Sequence, residues 1–157
     1  MSVRVGQGFD VHPWSDDPGR RLVLGGVVLE DERGLAGHSD ADVVAHAVAD
    51  ALLGAAGLGD IGAHFPDTDS RWRGADSLTL LAHVVGLVEA EGWSIANVDT
   101  TVIVEAPKLA PHKPAMEKRL AEVVGAPVSV KAKRAEGLGA LGRGEGVACL
   151  AVALLQR

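Results

Sequence analysis

Tyrosine is absent, and the aromatic complement stops at three tryptophans and two phenylalanines. A core must therefore be assembled from alanine, valine and leucine. A single cysteine, Cys149, excludes an internal disulfide and fits a reducing, cytoplasmic compartment. No apolar run approaches the length that crosses a bilayer, and Met1-Ser2-Val3-Arg4-Val5 is not a secretory start. Positive charge is also scarce: 15 Lys and Arg stand against 21 Asp and Glu, a net of −6. That balance argues against a nucleic-acid surface and against a basic, membrane-lying helix. The 157 residues suffice for one domain, 1–157, and fall short of two.

Glycine, by contrast, is abundant: 20 residues, clustered around polar ones, where it marks turns or a close backbone approach to a ligand. Between the glycines the pattern predicts a strand over Val3–Val11, a loop over Trp14–Arg20 and a second strand over Arg21–Glu30, bent or bulged at Gly25-Gly26. A loop over Gly34–Gly37 leads to the clearest element, a helix from Asp40 to about Leu53, ended by Gly54. Ser39 is its expected cap, with Asp42 as the return partner of a capping box. Next come a polar loop over Gly57–Asp69 and a helix from Asp76 or Ser77 to Gly92. A strand over Trp93–Glu105 and a helix from Pro111 or His112 to Val124 follow, the latter stopped by Gly125. Val128–Ala132 reads as a strand. Gly146–Leu155 is ambiguous by period alone, and the glycines before it favour a strand. This order predicts an α+β fold, a single layer of mixed sheet with helices on one face. The other face then needs a partner, which points to a homo-oligomer.

Three groups of residues carry chemistry. Asp10 and His12 alternate on a strand and so point to the same side. On the first helix, Asp42, His46 and Asp50 are the only polar residues between Asp42 and Leu53, a stripe that an apolar helix does not carry without partners. Asp10, His12 and His46 would make a zinc site with one position open, and Asp50 could accept the second ring N–H of His46. Singly, each histidine reads better as a satisfied structural group; the set reads better as a metal site. Gly37-His38-Ser39-Asp40 precedes the helix and offers a phosphate site at its N-terminus, or merely a cap. The carboxylates of Leu58–Asp69 could bind substrate hydroxyls or a hard cation, or cap their own turns. Lys131, Lys133 and Arg134, beside Glu136, reverse the sign of the protein locally and suggest a bound anion, with Glu105-Ala106-Pro107-Lys108 alongside. His64, His83 and His112 read as structural or surface residues.

Together, Gly6-x-Gly8-x-Asp10-x-His12, His38-Ser39-Asp40-Ala41-Asp42-Val43-x-x-His46, Asp50-Ala51-Leu52-Leu53-Gly54, Gly59-Asp60-Ile61-Gly62, Phe65-Pro66-Asp67-Thr68-Asp69, Ala106-Pro107-Lys108 and Gly142-Arg143-x-Glu145-Gly146 form a specific set. The chain resembles the 2-C-methyl-D-erythritol 2,4-cyclodiphosphate synthases along its whole length, without room for the cytidylyltransferase domain fused to some of them. The resemblance implies a cytoplasmic α+β homotrimer of the non-mevalonate isoprenoid pathway, with sites between subunits. The implied reaction converts 4-diphosphocytidyl-2-C-methyl-D-erythritol 2-phosphate to the cyclic diphosphate with release of CMP. It also implies Zn2+ on Asp10, His12 and His46, and Mg2+ or Mn2+ at the diphosphate with help from Glu136. His38 and Ser39 would contact phosphate, and His38 and Arg134 are the implied catalytic residues. Asp60, Ile61, Gly62, Phe65, Pro66, Asp67, Thr68 and Asp69 would hold the methylerythritol. Ala106, Pro107, Lys108, Leu109 and Ala110, with Lys133 and Arg134, would hold the cytidine diphosphate, and Arg143 completes the implied set.

The chain departs from the resemblance in three places: Ala140 stands where an aromatic is common, Leu150 stands where some relatives place a carboxylate near the trimer axis, and the third departure follows Lys131-Ala132. Where the family reads Lys-Ala-Thr-Thr, this chain has Lys131-Ala132-Lys133-Arg134, which implies retained activity with altered nucleotide binding. Two other readings remain compatible with the residues: a zinc-dependent phosphodiesterase or hydrolase, and an inactive nucleotide-binding trimer.

Overall fold

A computed structural model describes all 157 residues. Strand β1 (Val3–Pro13) is followed by two three-residue strands, β2 (Leu22–Leu24) and β3 (Val27–Leu29). Helix α1 (Val43–Ala56), the single-turn α2 (Ile61–His64) and a 3-10 turn at Ser70–Trp72 lead to α3 (Ser77–Ala90). Strand β4 (Ser94–Ile103), α4 (Lys113–Val124), β5 (Val128–Lys133), the short α5 (Gly139–Gly142) and β6 (Gly146–Gln156) complete the chain. The main sheet runs β1-β6-β4-β5. It is mixed, because β4 and β5 are parallel whereas β6 is antiparallel to both of its neighbours. The expected α+β architecture with a mixed sheet is present.

Alternation along the strands divides the sheet into two unlike faces. Val98, Thr100 and Val102 of β4 and Val147, Cys149, Ala151, Ala153 and Leu155 of β6 are buried beneath the helices. Val3, Val5, Phe9 and Val11 of β1 and Val152 of β6 lie exposed on the opposite face. The core is aliphatic as the composition requires, with Trp93 its one buried aromatic side chain.

The close approach of α1 to β1 depends on two glycines. A Cβ on Gly6 would fall 1.9 Å from the Ala51 carbonyl, and one on Gly8 would fall 1.8 Å from the Ala47 carbonyl. Glycine here admits the helix backbone rather than a ligand. Ala47, Ala51 and Ala55 form the facing stripe at helical spacing, all buried. The next positions on the same face of β1 are Asp10 and His12, so the packing that needs Gly6 and Gly8 also brings His46 to them.

Several sequence expectations are corrected. Arg21–Glu30 is not one bulged strand but the β2–β3 hairpin, whose Gly25-Gly26 turn has φ of 58° and 72°. Two consecutive positive φ values are what a two-residue hairpin loop demands. The first helix starts at Val43, because Ala41 sits at φ 58° and Asp42 is the cap. Asp42 Oδ1 accepts from Val44 N (3.1 Å), Ala45 N (3.0 Å) and Gly25 N (2.9 Å), and Oδ2 from Gly26 N (2.7 Å). One carboxylate therefore closes the helix and pins the hairpin turn. Gly54 lies inside the helix; Gly57, at φ 76°, ends it. Helix α2 interrupts the Gly57–Asp69 segment expected to be loop, and the 3-10 turn and α5 lie in segments for which the sequence predicted no element.

Candidate metal centre and substrate cavity

Asp10, His12 and His46 converge on one point at the mouth of the β1–α1 contact. Asp10 Oδ2 lies 2.8 Å from His12 Nε2 and 3.0 Å from His46 Nδ1, and the two ring nitrogens are 3.4 Å apart. His12 Nδ1 donates to the Ala36 carbonyl at 2.9 Å. A carbonyl only accepts, so that bond places a proton on Nδ1, and in the neutral ring it is the Nε2 lone pair that faces inward. Burial by itself would raise the Asp10 pKa, but the hydrogen bonds that His12 and His46 donate when their rings are protonated outweigh it and hold the carboxyl at about 2. For His12, burial pulls the pKa down; the Asp10 carboxylate prevails and raises it. An ionised carboxylate and two imidazoles, with ligand atoms all within 4.8 Å of one another, fit a divalent cation with nitrogen and oxygen preferences.

The group behind His46 is not the one expected. Asp50 does not reach its ring. The Asp50 carboxylate accepts from Ile61 N at 2.8 Å, so it fixes the start of α2, and burial raises its pKa. Ser77 takes the expected place of Asp50, with its Oγ 2.7 Å from His46 Nε2, and Ser39 Oγ lies 3.2 Å away. Nothing in the sequence distinguished Ser77 from an ordinary first residue of a helix.

The triad opens into a cavity of about 490 Å³. Of the residues expected around substrate, His38, Ser39, Ile61, Gly62, Phe65, Pro66 and Asp67 line it with the triad, and Trp72 and Leu80, which sequence reasoning missed, add to its apolar wall. Phe65 meets Trp72 edge to face, with centroids 4.9 Å apart. The missed signal was the aromatic at Trp72, just beyond the polar loop. Asp60, Thr68 and Asp69 do not line the cavity. Asp60 caps α2 through Ala63 N (2.9 Å); Asp69 caps the 3-10 turn and pairs with Arg71.

Likewise, the α1 N-terminus is not an open anion site, because the Asp42 carboxylate already occupies its free N–H groups. The loop before it is held by Arg20, whose guanidinium donates to the Leu35 and Ser39 carbonyls at 2.8 Å each. His38 Nε2 lies 3.1 Å from the Asp69 carbonyl.

A second cavity of about 230 Å³ lies at the ends of β4 and β5. Pro107, Lys108, Leu109 and Ala110 line it with Lys133 and Arg134, as expected, and Lys113 joins them. Ala106 faces a neighbouring hollow beside Trp14. The Glu105 carboxylate accepts from Ala135 N at 2.5 Å and so holds the turn that carries Arg134. Glu136, at φ 54°, stays outside the triad, and Arg143 pairs with Glu145 at 2.7 Å on the surface.

This chain matches the YgbB family over residues 3–156. The chain belongs to the YgbB family. A 2-C-methyl-D-erythritol 2,4-cyclodiphosphate synthase of Bordetella avium is 57% identical over 160 residues, covering 100% of this chain and 98% of the relative. Among solved structures, the bifunctional IspDF of Campylobacter jejuni superposes with a TM-score of 0.93 at 41% identity, over 98% of this chain and 42% of that one. A CDP-bound 2C-methyl-D-erythritol-2,4-cyclodiphosphate synthase matches with a TM-score of 0.87 at 39% identity, over 98% of this chain and 100% of the other. The resemblance read from the motifs is therefore borne out along the full length of this YgbB member. No helix is long and apolar enough to cross a membrane.

Proposed function

We propose that this chain converts 4-diphosphocytidyl-2-C-methyl-D-erythritol 2-phosphate to 2-C-methyl-D-erythritol 2,4-cyclodiphosphate and CMP, as a single synthase domain spanning 1–157. The observation that carries this reading is the Asp10–His12–His46 cluster at the head of a cavity walled by Ile61, Phe65 and Pro66, in a chain so similar to named synthases. An oxygen of the 2-phosphate attacks the β-phosphorus. The bond from that phosphorus to the oxygen bridging the α-phosphate breaks, and its electron pair leaves with CMP. A phosphate monoester is mostly dianionic at pH 7, its second pKa being about 6, so no side chain has to remove a proton. The difficulty is bringing two anions into line.

The residues divide that work. Asp10, His12 and His46 would hold Zn2+, which when bound neutralises phosphate charge and orients the displacement. His38 and Ser39, at the rim of the cavity, contact phosphate. Ile61, Gly62, Phe65, Pro66 and Asp67 enclose the methylerythritol, with Asp60, Thr68 and Asp69 shaping that loop. Pro107, Lys108, Leu109, Ala110, Lys133 and Arg134 receive the cytidine diphosphate, Arg134 offering a fork to its phosphates. Glu136 would help hold a Mg2+ or Mn2+ ion, which when bound would neutralise diphosphate charge.

Within one chain the triad and the cationic hollow are separate cavities. A homotrimer in which one subunit's hollow completes the next subunit's triad unites them. The exposed Val5, Phe9, Val11 and Val152 supply the face for such an assembly. A cytoplasmic location accords with this soluble small-molecule chemistry. The test is phosphorus NMR of the purified protein with the cytidyl substrate, zinc and magnesium. A cyclic diphosphate with one CMP per turnover is expected; intact substrate or linear hydrolysis products overturn the reading. Sedimentation tests the assembly, and a stable monomer sinks the shared site.

A further inference from the structure

Ser77, the first residue of α3, is 1% exposed, and its hydroxyl lies between two close groups, with Ser39 Oγ farther off at 3.5 Å. On one side lies His46 Nε2 at 2.7 Å; on the other is the Asp40 carboxylate, in a short hydrogen bond. Asp40 also accepts from Ser77 N at 3.0 Å and from Asp42 N at 3.1 Å. Its grip on both the amide and the hydroxyl of one residue fixes the Ser77 rotamer.

The direction of the chain of bonds follows from what each group can do. An ionised carboxylate accepts and cannot donate, so the Ser77 O–H must donate to Asp40. What Ser77 then offers His46 is a lone pair, so His46 Nε2 must carry the proton. A neutral imidazole has one N–H, which leaves the lone pair on Nδ1, the atom turned toward Asp10 and His12. Ser39 Oγ, 3.2 Å from the same nitrogen, already accepts from Ala41 N and is the longer contact.

We propose that Asp40 and Ser77 are positioning residues for a divalent cation at Asp10, His12 and His46, acting as a carboxylate–hydroxyl–imidazole relay that holds His46 in its Nε2–H form. The inference rests on the metal reading of the triad and deepens it. It assigns to α3 and to the loop before α1 the task that sequence reasoning gave to Asp50. The relay also ties the loop of His38 to the metal, because that loop is joined to the approach to α3 by Gly74 N donating to the His38 carbonyl (2.8 Å) and Asp40 N donating to the Ala75 carbonyl (3.0 Å).

The test measures zinc affinity of the full chain by competition with a chromophoric chelator, for wild type, Ser77→Ala and Asp40→Asn. Metal-free circular dichroism confirms the fold of each. Wild type should bind one zinc per chain, and Ser77→Ala should bind roughly 10–100-fold more weakly, the range typical for loss of a group that orients a metal-bound histidine. In 15N-histidine-labelled zinc protein, the His46 Nε2 proton should be protected from exchange in wild type and exposed in Ser77→Ala. Affinity of folded Ser77→Ala within about twofold of wild type, or a wild-type His46 without a protected Nε2 proton, overturns the relay. If Ser77→Ala does not fold, Asp40→Asn decides by the same criterion. Wild type that binds no zinc overturns the metal reading and the relay with it, whereas tight binding unaffected by either substitution overturns the relay alone.

Discussion

At the triad, both histidines have each ring nitrogen within 3.0 Å of a protein atom, whereas in the hollow at the ends of β4 and β5 Lys108, Lys113, Lys133 and Arg134 have no acidic partner. The first cavity is organised by the chain itself, through Ala36 behind His12 and Ser77 behind His46. The second presents charge that an incoming anion must satisfy. The difference predicts two kinds of sensitivity. Changes at the triad propagate into folding and metal affinity together, because its supports are also the packing of α1 on β1. Changes in the hollow alter ligand binding and leave the fold alone, because its cations are unpaired and, apart from the half-buried Lys113, exposed.

The strongest way to break this comparison is at the ligands. His46→Ala removes one of three metal-binding groups, and turnover should fall by about a thousandfold or more, a few kcal/mol of transition-state stabilisation. Steady-state kinetics with zinc analysis of the same sample checks it; full activity with zinc absent would detach the chemistry from the triad. Gly8→Ala comes next. Its Cβ would fall 1.8 Å from the Ala47 carbonyl, so α1 has to move off β1 at a cost of about 3 kcal/mol. Urea unfolding reads the loss, and zinc affinity should fall with it. A native affinity in a destabilised variant would show that the metal site and the helix packing are independent.

Much of this was legible in the sequence, and the rest failed for identifiable reasons. The triad was readable because strand alternation puts Asp10 and His12 on one side and because His46 is out of place on an apolar helix. The long elements were readable from their periods. The β2–β3 hairpin was not, since Gly25-Gly26 between two short apolar halves suits a bulge as well as a tight turn until φ is known. The cap of α1 was misassigned because Ser39, Asp40 and Asp42 are all good capping residues, and a tertiary demand, pinning the hairpin, selected Asp42. Ser77 was invisible for a similar reason. Its partners Asp40 and His46 are 37 and 31 residues away, and no local pattern records such a distance.

Asp42 sharpens the comparison on the triad side, since it supports the first cavity from beneath without touching it. Complete burial pushes its pKa up to about 6, against the pull of the surrounding backbone N–H groups. The folded protein therefore holds a proton that the unfolded chain has released between about pH 4 and 6. The sign follows: the contribution is full below the unfolded pKa and is lost as pH rises through 6. Asp42→Asn removes this pH dependence, on the order of 2 kcal/mol across that interval. Urea unfolding of both proteins at pH 4.5 and 7 gives the difference. An unchanged slope in Asp42→Asn would place the titration elsewhere.

The smallest expected effect lies in the hollow. Lys133 and Arg134 are exposed, make no ion pair, and stand at the end of β5 where the turn is held by Glu105 rather than by the two cations themselves. Replacing both with threonine removes two positive charges and leaves hydroxyl donors, so folding free energy and zinc affinity should remain within error of wild type. The KM for the cytidyl substrate should change by about three- to tenfold, roughly 1 kcal/mol, which is what exposed, screened charges supply to an anion. The effect should shrink as ionic strength rises, because it is carried by charge rather than by shape. A KM unchanged at low salt would remove both residues from the nucleotide site and leave Lys108 and Lys113 as the cations that face it. A loss of stability instead would mean that the hollow, like the triad, is part of what folds the chain.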